Sequence, residues 1–249
     1  MGNLINNELV YTVKDRCRVC YTCVRECPVK AIKIINGQAE VISSRCIGCG
    51  NCTKVCSQGA KAFIDTTNGV NELLGSSEKA VAMIAPSFAA EFSEIADYKI
   101  LIGMLRRLGF HHVVEVGFGA DLVAQEYKKL MDEPDGEKTI SSDCPAIAYY
   151  VRHYHPELTN SLAPIVSPMV AMVRVVRQKY GSDVRTVFIG PCIAKKAESS
   201  EVDHVITFRE LRQMFAKFGI RPESCEPSDF DPPKAGRAAI FPVTRVPGS

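Results

Sequence analysis

The stretch that decides the fold is CRVCYTCVRECPVKAIKI, residues 17–34, together with its echo CIGCGNCTKVCSQGAKAF, residues 46–63. Laid over one another at a constant offset, the two share four cysteines and the alanine that follows them. Each half reads C-x2-C-x2-C-x3-C. Three thiolates at that spacing wrap one face of an iron–sulfur cubane. The fourth, a short helical step further on, points away from it and suits the neighbouring cluster. Neither half completes its own site, which is why there are two. The spacing assigns Cys17, Cys20, Cys23 and Cys56 to one [4Fe-4S] cluster, and Cys46, Cys49, Cys52 and Cys27 to the other. A pair of four-cysteine zinc sites is the competing interpretation. Zinc ribbons, however, separate C-x2-C pairs by a longer loop, and a triple C-x2-C-x2-C is crowded for tetrahedral zinc. Two [4Fe-4S] clusters are therefore expected.

This region resembles bacterial two-cluster ferredoxins over its whole length. Pro28 after the first motif follows their pattern; Ser57 after the second departs from it at a position that is not a ligand. AIKIINGQAEVISSRC between the motifs predicts a hairpin turning at Asn36-Gly37. The polar stretch DTTNGVNELLGSSEKA reads as a linker. The expected organisation is a two-cluster domain over 1–66, a linker over 67–79, and a second domain over 80–249.

Composition bounds what the chain can be. Its 249 residues include eleven cysteines, eight of them between residues 17 and 56, and that clustering points to metal rather than disulfides. A formal net charge of +2 gives no electrostatic footprint for nucleic acid. The most apolar run, LAPIVSPMVAMVRVV, is broken by Pro164, Pro168 and Arg174, so no membrane span is expected. The first residues show no basic segment leading into an apolar one, so a cytoplasmic location is expected.

From residue 80 strand and helix patterns alternate. AVAMIAP, HHVVEVGFG, EKTISSDCP (a weaker pattern), VRTVFIG and DHVITF read as strands. YKILIGMLRRLGF, ADLVAQEYKKLMDE, AIAYYVRHYH, PMVAMVRVVRQKYG and TFRELRQMFAKFG read as helices. That alternation predicts an α/β domain with a mostly parallel sheet. Ligands of such sheets bind beyond the carboxyl ends of the strands. There the sequence has Pro86-Ser87, Gly117-Phe118-Gly119, Ser141 to Cys144, and Pro191-Cys192, so Cys144 and Cys192 are expected to share one edge. Cys225, in a polar turn, reads as an incidental thiol. The glycines of VVEVGFGADL read as close helix–strand packing, and Tyr149, Tyr150, Met169 and Met172 as core.

SSDCPA (141–146), GPCIAKKAE (190–198) and IAPSFAAEF (84–92) together resemble signatures of the [FeFe]-hydrogenase family, whose usual forms of the first two are TSCCPG and MPCTAKK. The fold this implies is an α+β ferredoxin-like module followed by the first lobe of a hydrogenase catalytic domain. The resemblance implies that Cys144 and Cys192 ligate the cubane of an H-cluster, the cubane joined to a two-iron unit. Lys195 would donate to a cyanide of that unit, while Pro86 and Ser87 would line the pocket. Asp143 stands where catalytic members carry a second cysteine, the proton relay, and Gly190 replaces the usual methionine. These departures resemble the sensory branch of the family, in which a signalling domain is attached. The family's last signature does not occur, and the chain is expected to be a fragment that does not turn over hydrogen. The implied partners are a ferredoxin-like redox protein and, in the complete parent, hydrogen and protons. The alternative is a non-enzymatic iron–sulfur electron carrier or redox scaffold with an α/β docking domain.

Overall fold

A computed structural model describes residues 9–132 and 138–233. In chain order its strands and helices begin β1 (Val10–Thr12), α1 (Thr22–Glu26), β2 (Ile32–Ile35), β3 (Gln38–Val41), α2 (Asn51–Val55) and β4 (Lys61–Phe63). They continue α3 (Thr67–Leu74), β5 (Ala80–Ile84), α4 (Phe88–Glu91), α5 (Tyr98–Leu108), β6 (His112–Glu115) and α6 (Gly117–Asp132). The last are α7 (Pro145–Tyr154), α8 (Pro168–Tyr180), β7 (Arg185–Gly190), β8 (His204–Thr207) and α9 (Phe208–Lys217).

The residues fall into two compact units. One gathers Met1–Ile64, Glu137–Pro164 and Cys192–Ser200; the other gathers Asp65–Gly136, Ile165–Pro191 and Glu201–Ser249. These are not the consecutive stretches into which the sequence divides, because two later segments pack with the cysteine-rich module. The stretch 67–79, expected to be a linker, contains α3, whose Val70 and Leu73 are buried.

In the first unit the repeat of the sequence is a repeat of structure. α1 and α2 are five-residue helices at equivalent places, and two antiparallel pairs, β1–β4 and β2–β3, flank them. The β2–β3 hairpin turns at Asn36-Gly37 with φ values of 47° and 71°, as a two-residue primed turn requires. Its small core joins Val29, Ala31, Ile32 and Ile47 to Ala146 and Tyr149 of α7 and to Ala194 and Ala197. Hydrogen bonds fasten α7 to the module. The Tyr149 hydroxyl donates to the Ala197 carbonyl at 2.5 Å, and the Tyr154 hydroxyl lies 3.0 and 2.9 Å from the carbonyl oxygens of Val29 and Arg45. Tyr150, expected in the core, is instead at the surface, stacked on Tyr154.

The second unit is built on a four-stranded, all-parallel sheet in the order β6-β5-β7-β8. β5 is AVAMI, buried at every position, as a strand covered on both faces must be. Burying a side chain such as Ile84 fully stabilises by roughly 1.5–3 kcal/mol. Strand order reverses between β5 and β7, the switch point at which open sheets bind ligands. Pro86-Ser87 follows β5, and Pro191-Cys192 follows β7. EKTISSDCP is not a strand of this sheet. Its described residues form only an isolated bridge, Ile140 to Leu162, within the first unit. The weak pattern carried too little apolar surface to take a place in a buried sheet.

Close approach explains two glycines. A Cβ on Gly119 would lie 2.4 Å from the Pro168 carbonyl oxygen, so the glycine lets α6 pack on α8 rather than on a strand. A Cβ on Gly190 would meet the Phe188 ring at 2.7 Å, which is why no methionine stands there. α9 starts with a capping box: Thr207 accepts from the Glu210 N–H, and the Glu210 carboxylate accepts from the Thr207 N–H at 2.7 Å. No helix among the described residues is long and apolar enough to cross a membrane.

Candidate metal centre

The local backbone of each cysteine loop is left-handed at matching positions. Val19 and Tyr21 in the first half have φ of 52° and 63°; Gly48 and Gly50 in the second have 68° and 76°. This conformation turns the chain sharply between successive cysteines. After each helix the chain turns again, and a backbone N–H points at the fourth thiol. Ala31 N–H donates to Cys27 Sγ at 3.2 Å, and Ala60 N–H donates to Cys56 Sγ at 3.3 Å. Gly48 N–H donates to Cys46 Sγ at 3.4 Å. Such bonds favour thiolates over thiols.

The electrostatics group the cysteines across the repeat. Burial pushes the Cys23 thiol up, and its thiol neighbours Cys56, Cys17 and Cys20 push it further. Burial likewise pushes Cys52 up to about 12, with Cys46, Cys49 and Cys27 adding to it. Cys46 is raised by burial together with Cys49 and Cys27. Exposed Cys20 is lowered by hydrogen bonds from the Thr22 hydroxyl and N–H. The structure thus brings Cys56 to the first three cysteines and Cys27 to the second three. Cys27, Cys46, Cys49 and Cys52 also line one small cavity of about 20 Å³. Among the described residues no three His, Cys, Asp or Glu side chains converge on a point fit for a single metal ion. The four thiols surround a volume instead. Packed thiols resist ionisation here, and a bound iron–sulfur cluster would supply the positive charge that offsets this.

The other predicted residues divide between the units. Cys144, exposed, caps α7, and half-buried Cys192 lies within its electrostatic reach. Burial raises the Cys192 thiol, while the N–H groups of Lys195 and Ala194 work against that. Lys195 Nζ donates to the Asp143 carbonyl at 3.1 Å and pairs with Glu198 Oε2 at 2.5 Å. Lys195 lies in the last turn of the short 193–197 helix rather than at a helical start, and its partner Glu198, just past that turn, is the anion that the sequence reasoning missed. Asp143 accepts from the Ser141 hydroxyl at 3.3 Å through Oδ2, while its Oδ1 is buried without a partner among the described residues. Pro86 and Ser87 belong to the second unit, and Cys225 packs half-buried against that unit's core. Lys61 was also missed. Its Nζ is buried in the first unit, and its charge acts on Cys23, Cys46 and Cys52. The signal for it was available: it stands in the repeat where the first half has Ile32.

Comparison with known proteins agrees with this chemistry. Residues 9–57 match the 4Fe-4S dicluster domain, and residues 78–245 match the domain described as iron only hydrogenase large subunit, C-terminal domain. The NADP-reducing hydrogenase subunit HndD of Solidesulfovibrio fructosivorans is 27% identical over 92% of this chain and 48% of its own length. The cytosolic Fe-S cluster assembly factor NAR1 of Yarrowia lipolytica is 28% identical over 74% of this chain and 46% of its own. The chain spans about half the length of these curated relatives. A structure of [FeFe]-hydrogenase HydA1 from Chlamydomonas reinhardtii covers 70% of this chain and 53% of its own, with a TM-score of 0.59 and 23% identity, a likeness of fold. The fold is a ferredoxin-like iron–sulfur region followed by an α/β domain with a parallel sheet. By its matched domain the chain belongs to the iron-only hydrogenase large-subunit family.

Proposed function

We propose that the protein is an electron relay of the [FeFe]-hydrogenase type, carrying two [4Fe-4S] clusters in its N-terminal module. Cys17, Cys20, Cys23 and Cys56 would hold one, and Cys46, Cys49, Cys52 and Cys27 the other. The observation that carries this is the crossing of the fourth cysteine, which gathers thiols from both halves into each set. Bound clusters supply one-electron redox chemistry. The chain's own part is to hold four thiolates per site, to donate the Ala31, Gly48 and Ala60 N–H groups to sulfur, and to keep water from Cys23 and Cys27. Electrons would come from a ferredoxin-like partner in the cytoplasm. The test is anaerobic reconstitution: about eight irons per chain are expected, with the paramagnetic signals of two reduced cubanes. Stoichiometric zinc without charge-transfer absorbance would end the proposal.

For the second site the described residues bring together two thiols, Cys144 and Cys192, fewer than the four a cubane takes. They do not by themselves fit an H-cluster. Hydrogen oxidation, proton reduction or hydrogen sensing with an attached signalling domain is therefore proposed only for the whole protein. There Asp143 would relay protons, Lys195 would serve as charged donor, and Pro86 and Ser87 would line the pocket. A non-enzymatic electron carrier or scaffold is the second reading, favoured by the ion pair of Lys195 with Glu198, which already occupies the charge the chemistry needs. Hydrogen evolution by the matured whole protein under a strong reductant separates the two.

A further inference from the structure

Lys61 and Ile32 occupy the same place in the two halves of the repeat, each five residues after its half's fourth cysteine. Both are buried, at 4% and 5% exposure. One half fills the position with hydrocarbon and the other with an ammonium group. Lys61 Nζ donates to the Thr12 hydroxyl and to the Ala39 carbonyl, both at 2.5 Å. Thr12 lies opposite Lys61 in the β1–β4 pair and itself donates to Ala39, so the ammonium is fixed in place. Among the described residues no carboxylate lies at ion-pair distance from it. A buried charge with neutral partners alone is strongly disfavoured, so the position needs an anion. Thiolates of both sets, once they hold their clusters, would supply it. Ala39, whose carbonyl holds the ammonium, shares one core with Cys23 and Cys27, and Cys46 and Cys52 pack against that core, so the lysine charge acts on both sets.

We propose that Lys61 is a positioning residue shared by both iron–sulfur sites, a fixed buried cation that raises the reduction potential of each. This rests on the two-cluster reading above. A cubane with four thiolates is anionic and gains one more negative charge when it accepts an electron. No proton moves and no bond breaks. A cation held nearby in a dry, low-dielectric setting therefore stabilises the reduced state more than the oxidised one.

The test is an EPR-monitored redox titration of the reconstituted chain, with dithionite as the electron source, on wild type, Lys61→Met, Lys61→Gln and Lys61→Arg. Iron content of the wild type comes first: markedly fewer than about eight irons means the cluster reading fails, and this inference falls with it. With both clusters present, the midpoints of both should shift downward in the Met and Gln variants and stay near wild type in the Arg variant. Unchanged midpoints in the neutral variants, or a shift confined to one cluster, would overturn the proposal. If the neutral variants fail to take up iron while Arg loads normally, charge rather than shape is what the sites require, and the proposal stands. Failure of all three assigns Lys61 a packing role and refutes it.

Discussion

The two halves of the cysteine repeat have the same backbone and different side chains, and the difference follows what packs on each. The left-handed positions are Val19, Tyr21 and Lys30 in the first half and Gly48, Gly50 and Gly59 in the second. A side chain there is strained, by roughly 1–2 kcal/mol, but the first half has room for one: Val19 is half-buried and Tyr21 is 50% exposed. The second half has no room. A Cβ on Gly48 would come within 2.8 Å of Leu9 and 3.2 Å of Ala194, and one on Gly50 within 2.7 Å of Ile193. Glycine there relieves strain and also lets the turn at Ile193–Ala197, which carries Lys195, close onto the loop. One half is thus a surface and the other a seat.

The strongest way to break this comparison is to cut the crossing. Cys27→Ser should remove the cluster of Cys46, Cys49 and Cys52, and Cys56→Ser should remove that of Cys17, Cys20 and Cys23. Each should lower iron from about eight to about four per chain. Loss of the cluster on the mutated residue's own half, read from iron content and EPR of the paired variants Cys20→Ser and Cys49→Ser, would reverse the assignment.

Next is Gly48→Val, which copies Val19 into the second half. Left-handed strain and overpacking together should cost about 2–4 kcal/mol. Thermal unfolding of the loaded protein should fall by several degrees, at about 2–4 °C per kcal/mol for a chain of this size. A Tm within a degree of wild type would mean the 193–197 turn does not need the glycine.

A smaller effect contrasts the cysteine module with the sheet unit. Among the described residues the carboxylates with lowered pKa values, Glu94, Glu201, Asp203 and Asp231, all lie in the sheet unit. Burial acts against the Asp203 charge. The Thr186 N–H and hydroxyl and the Arg185 and Arg177 guanidiniums outweigh it and hold the carboxyl below its usual range. A depressed carboxylate contributes stability that is present above its unfolded pKa of about 3.9 and lost as pH falls through the folded value. The sheet unit should therefore loosen first in acid. Asp203→Asn should cost about 1–3 kcal/mol at pH 7 and flatten the acid limb of the Tm curve. Hydrogen exchange by pH, read separately for β7 and β2, distinguishes this from global unfolding.

The smallest effect sharpens the comparison from the other side. Val19→Gly should relieve strain of about 1–2 kcal/mol, offset in part by the entropy of a more flexible unfolded chain, about 0.5–1 kcal/mol. A gain of a degree or two in Tm is expected, and a loss would show that Val19 contributes packing the strain argument omits.

What the sequence determined by itself is what local spacing controls. The C-x2-C-x2-C-x3-C repeat, the Asn36-Gly37 turn, the buried strand AVAMI and the periodic helices all rest on neighbours within a few residues, and the structure has each of them. The tertiary structure decided what depends on distant partners. It gathered Glu137–Pro164 and Cys192–Ser200 with the cysteine module, kept EKTISSDCP out of the sheet, gave Lys195 its Glu198, and buried the Lys61 ammonium beside two cysteine sets. Periodicity records which face of an element is apolar, not which other element will cover it. The long-range contacts that decide this are formed only when the whole chain closes, and their energies are written in no single window of the sequence.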